Sequence, residues 1–301
     1  MAEAYIIDAC RTPRGIGKQG KGALAHLHPG HLGRTVLEAI RDRNDIDTAD
    51  VDDVIWGTSS QVMEQSGDLG RMSALDAGYD IKASGVTLDR FCGSGITSAN
   101  MAATAVMAGM EDLVVSGGTE MMSLPKKGML PMGAGNPHLQ ELHPQSHQGV
   151  CADAIATLEG IPRRVLDDHA AESQARAEVA IKEGRFDNSL IPVFNLDGTL
   201  ALDQEEFPRP GTTADSLANL QPSFPAVADY RPDEGGLTFR EQINARYPDL
   251  QIEHVHHAGN SSGVVDGSAA ILWASEDYAT AHGLKPRARV IATGNLGDDP
   301  T

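Results

Sequence analysis

The chain has 301 residues and a formal net charge of −18, because 42 acidic side chains outnumber 24 lysines and arginines. Hydrophobic residues make up 41% of the sequence, a composition typical of a folded protein with one large or two medium domains. The acidity argues against non-specific DNA or RNA binding, which needs a basic surface, whereas an anionic substrate could still bind at a local cluster of Lys and Arg. No apolar run reaches about 18 residues, so we expect no membrane-spanning helix.

The N-terminus and the cysteines bear on location. The opening MAEAYIIDACRTP has no basic stretch followed by an apolar one, so it does not predict a secretory signal. The cysteines, Cys10, Cys92 and Cys151, are odd in number and far apart in the sequence. This pattern does not suggest a disulfide framework and favours a reducing, cytoplasmic location.

The first 123 residues alternate between short apolar runs and helical patterns. Strands are predicted at residues 5–9, 53–56, 85–88 and 112–116. Helices are predicted at residues 32–43, 70–77 and 94–108. Strands that alternate with helices favour an α/β domain with a largely parallel sheet.

The amino-acid composition changes after Ser123, where a segment rich in Pro, Gly and His predicts a loop. Further on, helices are predicted at 149–159 and 163–183, the second ending at Gly184, followed by a hairpin with an Asp-Gly turn and a short helix. Regular structure resumes with a strand at 269–274, a helix at 276–282 and a strand from about Ala288. We therefore expect an α/β domain at 1–123 and 258–283, an insertion at 124–257 and the start of a further domain at 284–301.

Cys92 stands where the predicted strand 85–88 leads into the helix that begins near Ser94. A helix N-terminus presents free N–H groups and a partial positive charge, and both favour a thiolate over a thiol. Gly93 and Gly95 leave room for a substrate, and the backbone N–H groups could hold a developing oxyanion. Acyl-transfer enzymes use this order of strand, nucleophile and helix. The alternative is that Cys92 fills a buried space, which is the preferred interpretation of Cys10 and Cys151.

Four segments spread along the chain carry a family pattern. They are IIDACRTPRG at 6–15, TLDRFCGSGITSA at 87–99, SGGTEMMS at 116–123 and AGNSSGVVDGSAA at 258–270. Together they resemble the thiolases, the acyl-CoA C-acyltransferases, and the second resembles the family's active-cysteine segment. The resemblance implies a layered α/β/α/β/α fold built from two similar halves. A loop domain is inserted in the first half, and here the second half is nearly absent.

The resemblance also implies a reaction and a set of contacts. Cys92 would take an acyl group from acyl-CoA, and a second acyl-CoA would lose a Cα proton and attack the thioester; in the reverse direction CoA would cleave a 3-ketoacyl group. By resemblance, CoA as a substrate would be held by His147, Gln148, Arg209, Ser216, Leu220, Ala258 and Ser262. Arg209 would meet a phosphate or the adenine, and Ser262 the pantetheine amide. The family further implies a homodimer or homotetramer, with no cofactor and no metal.

Several elements of the family pattern are absent from the chain. Thiolases carry a second, acid/base cysteine late in the sequence, a Gly-His-Pro histidine and an Asn-Glu-Ala-Phe segment, and none of these occurs here. We therefore expect the chain to be the first part of a longer enzyme and to be inactive by itself. The alternatives are a CoA-binding subunit of a split or non-catalytic assembly, a ketoacyl-synthase-like condensing enzyme and, more remotely, a cysteine hydrolase.

Histidines form two clusters in the sequence, at 26, 28 and 31 and at 254, 256 and 257. Period-two spacing would place His254 and His256 on one face of a strand. A metal site needs three or four convergent ligands, so surface or loop histidines are the simpler interpretation. The segment 225–257 is longer than the corresponding link in the family, and its role is open.

Overall fold

The computed structural model describes residues 2–124 and 136–299, so residues 125–135 of the predicted loop lie outside the described part. The chain divides into two compact units, each of which is described by itself. The first comprises Met1–Pro125, Arg185–Phe207 and Val264–Asn295, and the second comprises Lys126–Gly184, Pro208–Gly263 and Leu296–Thr301. Residues 185–207 thus pack with the first unit, whereas the sequence placed them in the insertion. The predicted domain scheme stays a prediction.

Strands and helices follow one another much as the sequence predicts. The strands are β1 Ala4–Arg11, β2 Gly15–Ile16, β3 Asp53–Gly57, β4 Val86–Leu88, β5 Leu113–Met121, β6 Val193–Phe194, β7 Leu200–Leu202, β8 Val265–Ser275 and β9 Ala288–Arg289. The helices are α1 Pro29–Asn44, α2 Leu69–Asp76, α3 Ser94–Met107, α4 Pro137–Leu142, α5 Gln148–Leu158, α6 Arg163–Lys182, α7 Ala214–Leu217, α8 Pro225–Ala228, α9 Phe239–Arg246 and α10 Glu276–Ala281. Short 3₁₀ turns lie at Thr48–Asp50 and Met63–Gln65.

The first unit is built on a mixed sheet with the strand order β4-β3-β5-β8-β1-β9, to which β2 adds by pairing with β8. Within this sheet β3 pairs in parallel with β4 and β5. The other strand pairs are antiparallel: β8 with β5, β1 and β2, and β1 with β9. The expectation of a largely parallel sheet is therefore wrong. Helical crossovers join β3, β4 and β5, but β8 comes from a distant part of the chain and inserts antiparallel between β5 and β1.

Alternation along the strands divides the core of this unit between the two faces of the sheet. Trp56 and Val115 pack on one face with apolar residues of α1 and α2. Ile55 and Val114 point to the other face, where they pack with alanines and Val106 of α3. Both faces of the central strands are thus covered by helices, as in other α/β sheets.

The predicted hairpin is confirmed as the antiparallel pair β6 and β7. Its turn passes through Gly198, whose φ of 82° lies in the left-handed region that glycine adopts without a steric penalty. It belongs to the first unit.

Helices and connecting loops make up the second unit. Its core joins α5, α8 and α9 through Val150, Ala228, Phe239 and Ile243. The longest helix, α6, ends as predicted just before Gly184, which has a φ of 65°. Across residues 2–124 and 136–299, no helix combines the length and the apolar character needed to cross a membrane.

The close packing of the sheet gives a stability prediction at Gly117 on β5. A Cβ atom there would lie 2.3 Å from the carbonyl oxygen of Ala269 and 2.4 Å from Cζ3 of Trp56. Gly117→Ala should lower the free energy of unfolding by about 1–3 kcal/mol, because the added methyl overpacks the core. Gly294→Ala is the control, since a Cβ at that position meets no atom within 4 Å. Equal urea midpoints for the two variants would contradict this account.

Candidate functional site

Cys92 lies in the turn between β4, which ends at Leu88, and α3, which begins at Ser94. The predicted strand-to-helix placement is confirmed, and the thiol is exposed to solvent. Because both ends of this turn belong to regular elements of the first unit, the cysteine has a defined position at the surface.

Two side chains close the turn around Cys92. Asp89 accepts a hydrogen bond from the backbone N–H of Phe91 through Oδ1 at 2.7 Å. The hydroxyl of Ser94 accepts from the N–H of Arg90 at 2.8 Å and donates to the carbonyl oxygen of Phe91 at 2.7 Å. Asp89 therefore has a structural role in this turn.

Phe91, immediately before the cysteine, has a φ of 50°. This left-handed conformation is unusual for a bulky residue and is typical of turns that over-determine the position of a functional side chain. The sequence did not predict this strain, since nothing in the residue type at position 91 indicates it.

The first turn of α3 has backbone donors available beside the thiol. Within the described residues, the N–H groups of Gly95 and Ile96 have no hydrogen-bond partner, as expected for the start of a helix. Free N–H groups and the positive end of the helix favour negative charge, on a thiolate or on an oxyanion. The turn therefore combines an accessible nucleophile with donors for the charge that its reaction would create.

The other two cysteines are placed differently. Cys10 is buried on β1, and burial raises the pKa of its thiol to about 12. Cys151 lies within α5, and its partial burial also raises its pKa. Both agree with the structural roles that the sequence analysis preferred.

These environments predict the order of alkylation by iodoacetamide at pH 8. Cys92 should react first, Cys151 more slowly, and Cys10 only on unfolding, because a pKa of about 12 leaves a thiolate fraction of about 10⁻⁴. Peptide mass spectrometry over time measures the order, and Cys92→Ala should remove the fast phase alone. Rapid modification of Cys10 in the native protein would contradict this order.

The predicted CoA contacts all lie in the second unit. Two of them, His147 and Gln148, stand at the start of α5. The His147 ring lies 5.6 Å from Phe224 and 5.7 Å from Phe239, centroid to centroid, and its Nδ1 accepts from the N–H of Gly149. Partial burial lowers the pKa of His147, so the neutral imidazole is favoured. Gln148 is exposed.

Arg209 lies in the segment that leads into α7, and Ser216 lies within α7. Arg209 is exposed, and its backbone N–H donates to Oε1 of Gln174 on α6 at 2.8 Å. Ser216 forms a capping box with Thr213, in which its hydroxyl accepts from the Thr213 N–H and donates to the Thr213 carbonyl. The Ser216 hydroxyl is therefore already used by the fold, which the sequence did not indicate.

Leu220, Ala258 and Ser262 are exposed, and the first two lie on neighbouring loops. A Cβ atom on Gly259 would come within 2.8 Å of Cδ1 of Leu220, so the two loops are in direct contact. Arg209 and Ser262 form no hydrogen bond to the other candidates within the described residues. The structure thus brings part of the predicted set together, and the roles of all eight site residues stay predictions.

A buried polar network in the same unit was not predicted from the sequence. Asp153 on α5 and Asp167 on α6 are both essentially inaccessible to solvent, and both contact histidines of the second cluster. The sequence offered one signal for this network: an acidic residue occupies a buried position on each of two helices, and a buried charge requires a partner.

The two histidine clusters also differ from expectation. His254 and His256 do not lie in a strand; instead their Nδ1 atoms lie 2.6 and 2.8 Å from the carboxylate of Asp153. His257 lies in a loop, as expected, but it is fully buried rather than at the surface. Histidines 26, 28 and 31 line a cavity of about 680 Å³ in the first unit. Over residues 2–124 and 136–299, no group of three or more His, Cys, Asp and Glu side chains could hold a metal ion.

Comparison with known proteins gives one consistent result. The family model for the thiolase N-terminal domain matches residues 4–227. The chain is 35% identical over 313 residues to the steroid 3-ketoacyl-CoA thiolase FadA6 of Mycobacterium tuberculosis, covering all of this chain and 69% of that protein. It is 32% identical over 324 residues to the β-ketoadipyl-CoA thiolase of Acinetobacter baylyi, covering all of this chain and 73% of that protein.

A solved structure agrees with these matches. The crystal structure of the Bacillus anthracis acetyl-CoA acetyltransferase superposes with a TM-score of 0.76 at 27% sequence identity, covering 97% of this chain and 70% of that one. The predicted α/β fold class is thereby confirmed.

Proposed function

The chain belongs to the thiolase family, and on that premise we propose that Cys92 is the residue that accepts an acyl group from acyl-CoA. One observation carries this assignment: Cys92 is the exposed cysteine, and it stands at the N-terminus of a 14-residue helix with free backbone N–H groups beside it. Cys10 and Cys151 have burial-raised pKa values, which oppose thiolate formation at neutral pH.

The acyl transfer that we propose forms a bond between Sγ of Cys92 and the carbonyl carbon of the thioester. The bond from that carbon to the CoA sulfur breaks, and the leaving CoA thiolate takes up a proton from solvent. The carbonyl oxygen gains negative charge in the tetrahedral intermediate, and the N–H groups at the start of α3 are suited to stabilise that charge. The acyl-cysteine is then available to a carbanion in synthesis or to CoA in exchange.

We propose that the second unit holds CoA, which is a substrate, so that no resident cofactor is required. The guanidinium of Arg209 forms no ion pair within the described residues and is therefore available to a phosphate. Gln148, Leu220, Ala258 and Ser262 are exposed as ligand contacts would need to be. We further propose that the protein is cytoplasmic and that it assembles as a homodimer or homotetramer.

The first test follows acyl transfer itself. Incubation with [¹⁴C]acetyl-CoA should leave one acetyl group on the peptide that contains Cys92, a change that intact-mass spectrometry also detects. Cys92→Ser should reduce the labelling rate by at least about 10²-fold, because a serine hydroxyl is scarcely ionised at neutral pH.

Cys151→Ser is the matched control, and its labelling should equal that of the unsubstituted chain. Label on another residue, or CoA binding with no label at all, would overturn the nucleophile assignment. The second outcome would favour a CoA-binding subunit that does not itself accept the acyl group.

The second test concerns Arg209. Arg209→Ala should raise the Kd for CoA about 10- to 100-fold, since a charge-assisted hydrogen bond to a phosphate contributes about 1.5–3 kcal/mol. Arg176→Ala removes the same charge from α6, where Arg176 pairs with Glu172, and should leave the Kd unchanged. Isothermal titration calorimetry measures both, and equal Kd values would remove Arg209 from the proposed site.

A further inference from the structure

Asp167 on α6 is a buried carboxylate whose two oxygens are both used by the protein. Its Oδ2 accepts from Nε of Arg163 at 2.9 Å. Its Oδ1 accepts from Nδ2 of Asn260 at 3.0 Å and lies 2.8 Å from Nε2 of His257. A carboxylate this fully buried is tolerated only when it is paired and hydrogen-bonded in this way.

Arg163 extends the network to the loop after α7. Its second terminal nitrogen donates to the carbonyl oxygens of Leu217 at 2.8 Å and Leu220 at 3.0 Å. The guanidinium is held by Asp167 one turn along the same helix, so the carboxylate fixes the direction in which Arg163 points. Through Arg163, Asp167 therefore controls the backbone on either side of the loop that carries Leu220.

His257 extends the network to a second loop. Its Nδ1 accepts from the backbone N–H of Gly259 at 3.0 Å, so Nε2 carries the ring hydrogen and donates to Asp167. The backbone N–H of His257 also donates to Oδ1 of Asn260 at 2.8 Å. Hydrogen bonds at both ring nitrogens of His257 and at Asn260 therefore hold the turn from His257 to Asn260, and Ala258 lies inside it.

The two loops also contact each other directly. A Cβ on Gly259 would lie 2.6 Å from Cδ2 of Leu217 and 2.8 Å from Cδ1 of Leu220. Their separation is therefore set by close packing at Gly259 as well as by their shared attachment to Asp167. A shift of either loop would displace the other.

We propose that Asp167 is a positioning residue for CoA, which sets the placement of α7 and the loop after it, with Ser216 and Leu220, relative to the loop with Ala258 and Ser262. This inference rests on the proposed function, because those four residues are its predicted CoA contacts. Asp167 does not touch the ligand; it acts through Arg163 and His257. Stability alone does not account for the network, since a well-packed apolar cluster usually stabilises a fold as well as a buried ion pair does.

The test compares Asp167→Asn with Asp168→Asn. In the first variant an amide nitrogen replaces one of the two accepting oxygens, so either the bond from Arg163 or the bonds from His257 and Asn260 are lost, and one of the two loops loses its attachment. Asp168 pairs with Arg164 in the same i, i+4 arrangement on the same helix, but that pair is exposed. Asp167→Asn should raise the Kd for CoA about 10- to 100-fold, because small displacements of preorganised contacts are costly. Asp168→Asn should leave it unchanged.

Arg163→Lys keeps the test decisive if Asp167→Asn does not fold. A lysine retains the ion pair with Asp167 but cannot also reach both carbonyl groups, so the Kd for CoA should rise about 3- to 10-fold with little change in Tm. The iodoacetamide rate at Cys92, which is in the first unit, should stay the same in every variant.

Two negative results have different meanings. If the unsubstituted chain binds CoA and the folded Asp167 or Arg163 variants bind it with the same Kd, this inference alone is overturned. If the unsubstituted chain does not bind CoA in calorimetry, the proposed CoA site fails, and the inference that rests on it fails as well.

Discussion

Burial of the central sheet on both faces determines where the first unit can carry a reactive side chain. Within β3 and β5, alternate residues point into one or the other apolar core, so a side chain there has no access to a substrate. Access is possible at the strand ends, and β4 ends in the turn that holds Cys92. Cys10, on β1, shows the opposite case, since burial suppresses ionisation of its thiol. Position in the sheet thus separates the accessible Cys92, our proposed nucleophile, from the buried Cys10.

The second unit holds its loops mainly by hydrogen bonds to buried charged groups rather than by apolar packing. Its apolar core is small and centres on α5 and α9. The loops beside this core are fixed by hydrogen bonds to buried carboxylates. That of Asp153 is hydrogen-bonded to two backbone N–H groups and two imidazoles. That of Asp167 is hydrogen-bonded to the side chains of Arg163, Asn260 and His257. Hydrogen bonds have direction, whereas apolar contacts do not. A loop held by them has a defined conformation even where little apolar surface is available for burial.

Local patterns were sufficient to predict the parts of the fold that form locally. The strand, turn and helix around Cys92 could be located because apolar alternation, small residues and helical periodicity occur within about 25 contiguous residues. The antiparallel insertion of β8 could not, since it depends on pairing between segments more than a hundred residues apart. Asp153 and Asp167 were missed for the same reason: His256 lies 103 residues after the first, and His257 lies 90 residues after the second. A sequence shows that a buried carboxylate needs a partner, but not which residue supplies it.

Because the chain is strongly acidic, accurate positioning of its loops is important for binding an anionic ligand. A net charge of −18 repels an anionic ligand at long range, so electrostatic steering cannot supply the attraction that basic proteins use. Cations of the second unit are largely committed, since Arg163, Arg164 and Arg176 each pair with a carboxylate on α6. The CoA binding that we propose must then rest on short-range contacts that tolerate little displacement, and these contacts depend on how accurately their loops are held. A buried carboxylate that fixes two such loops is one way for an acidic protein to recognise an acidic substrate.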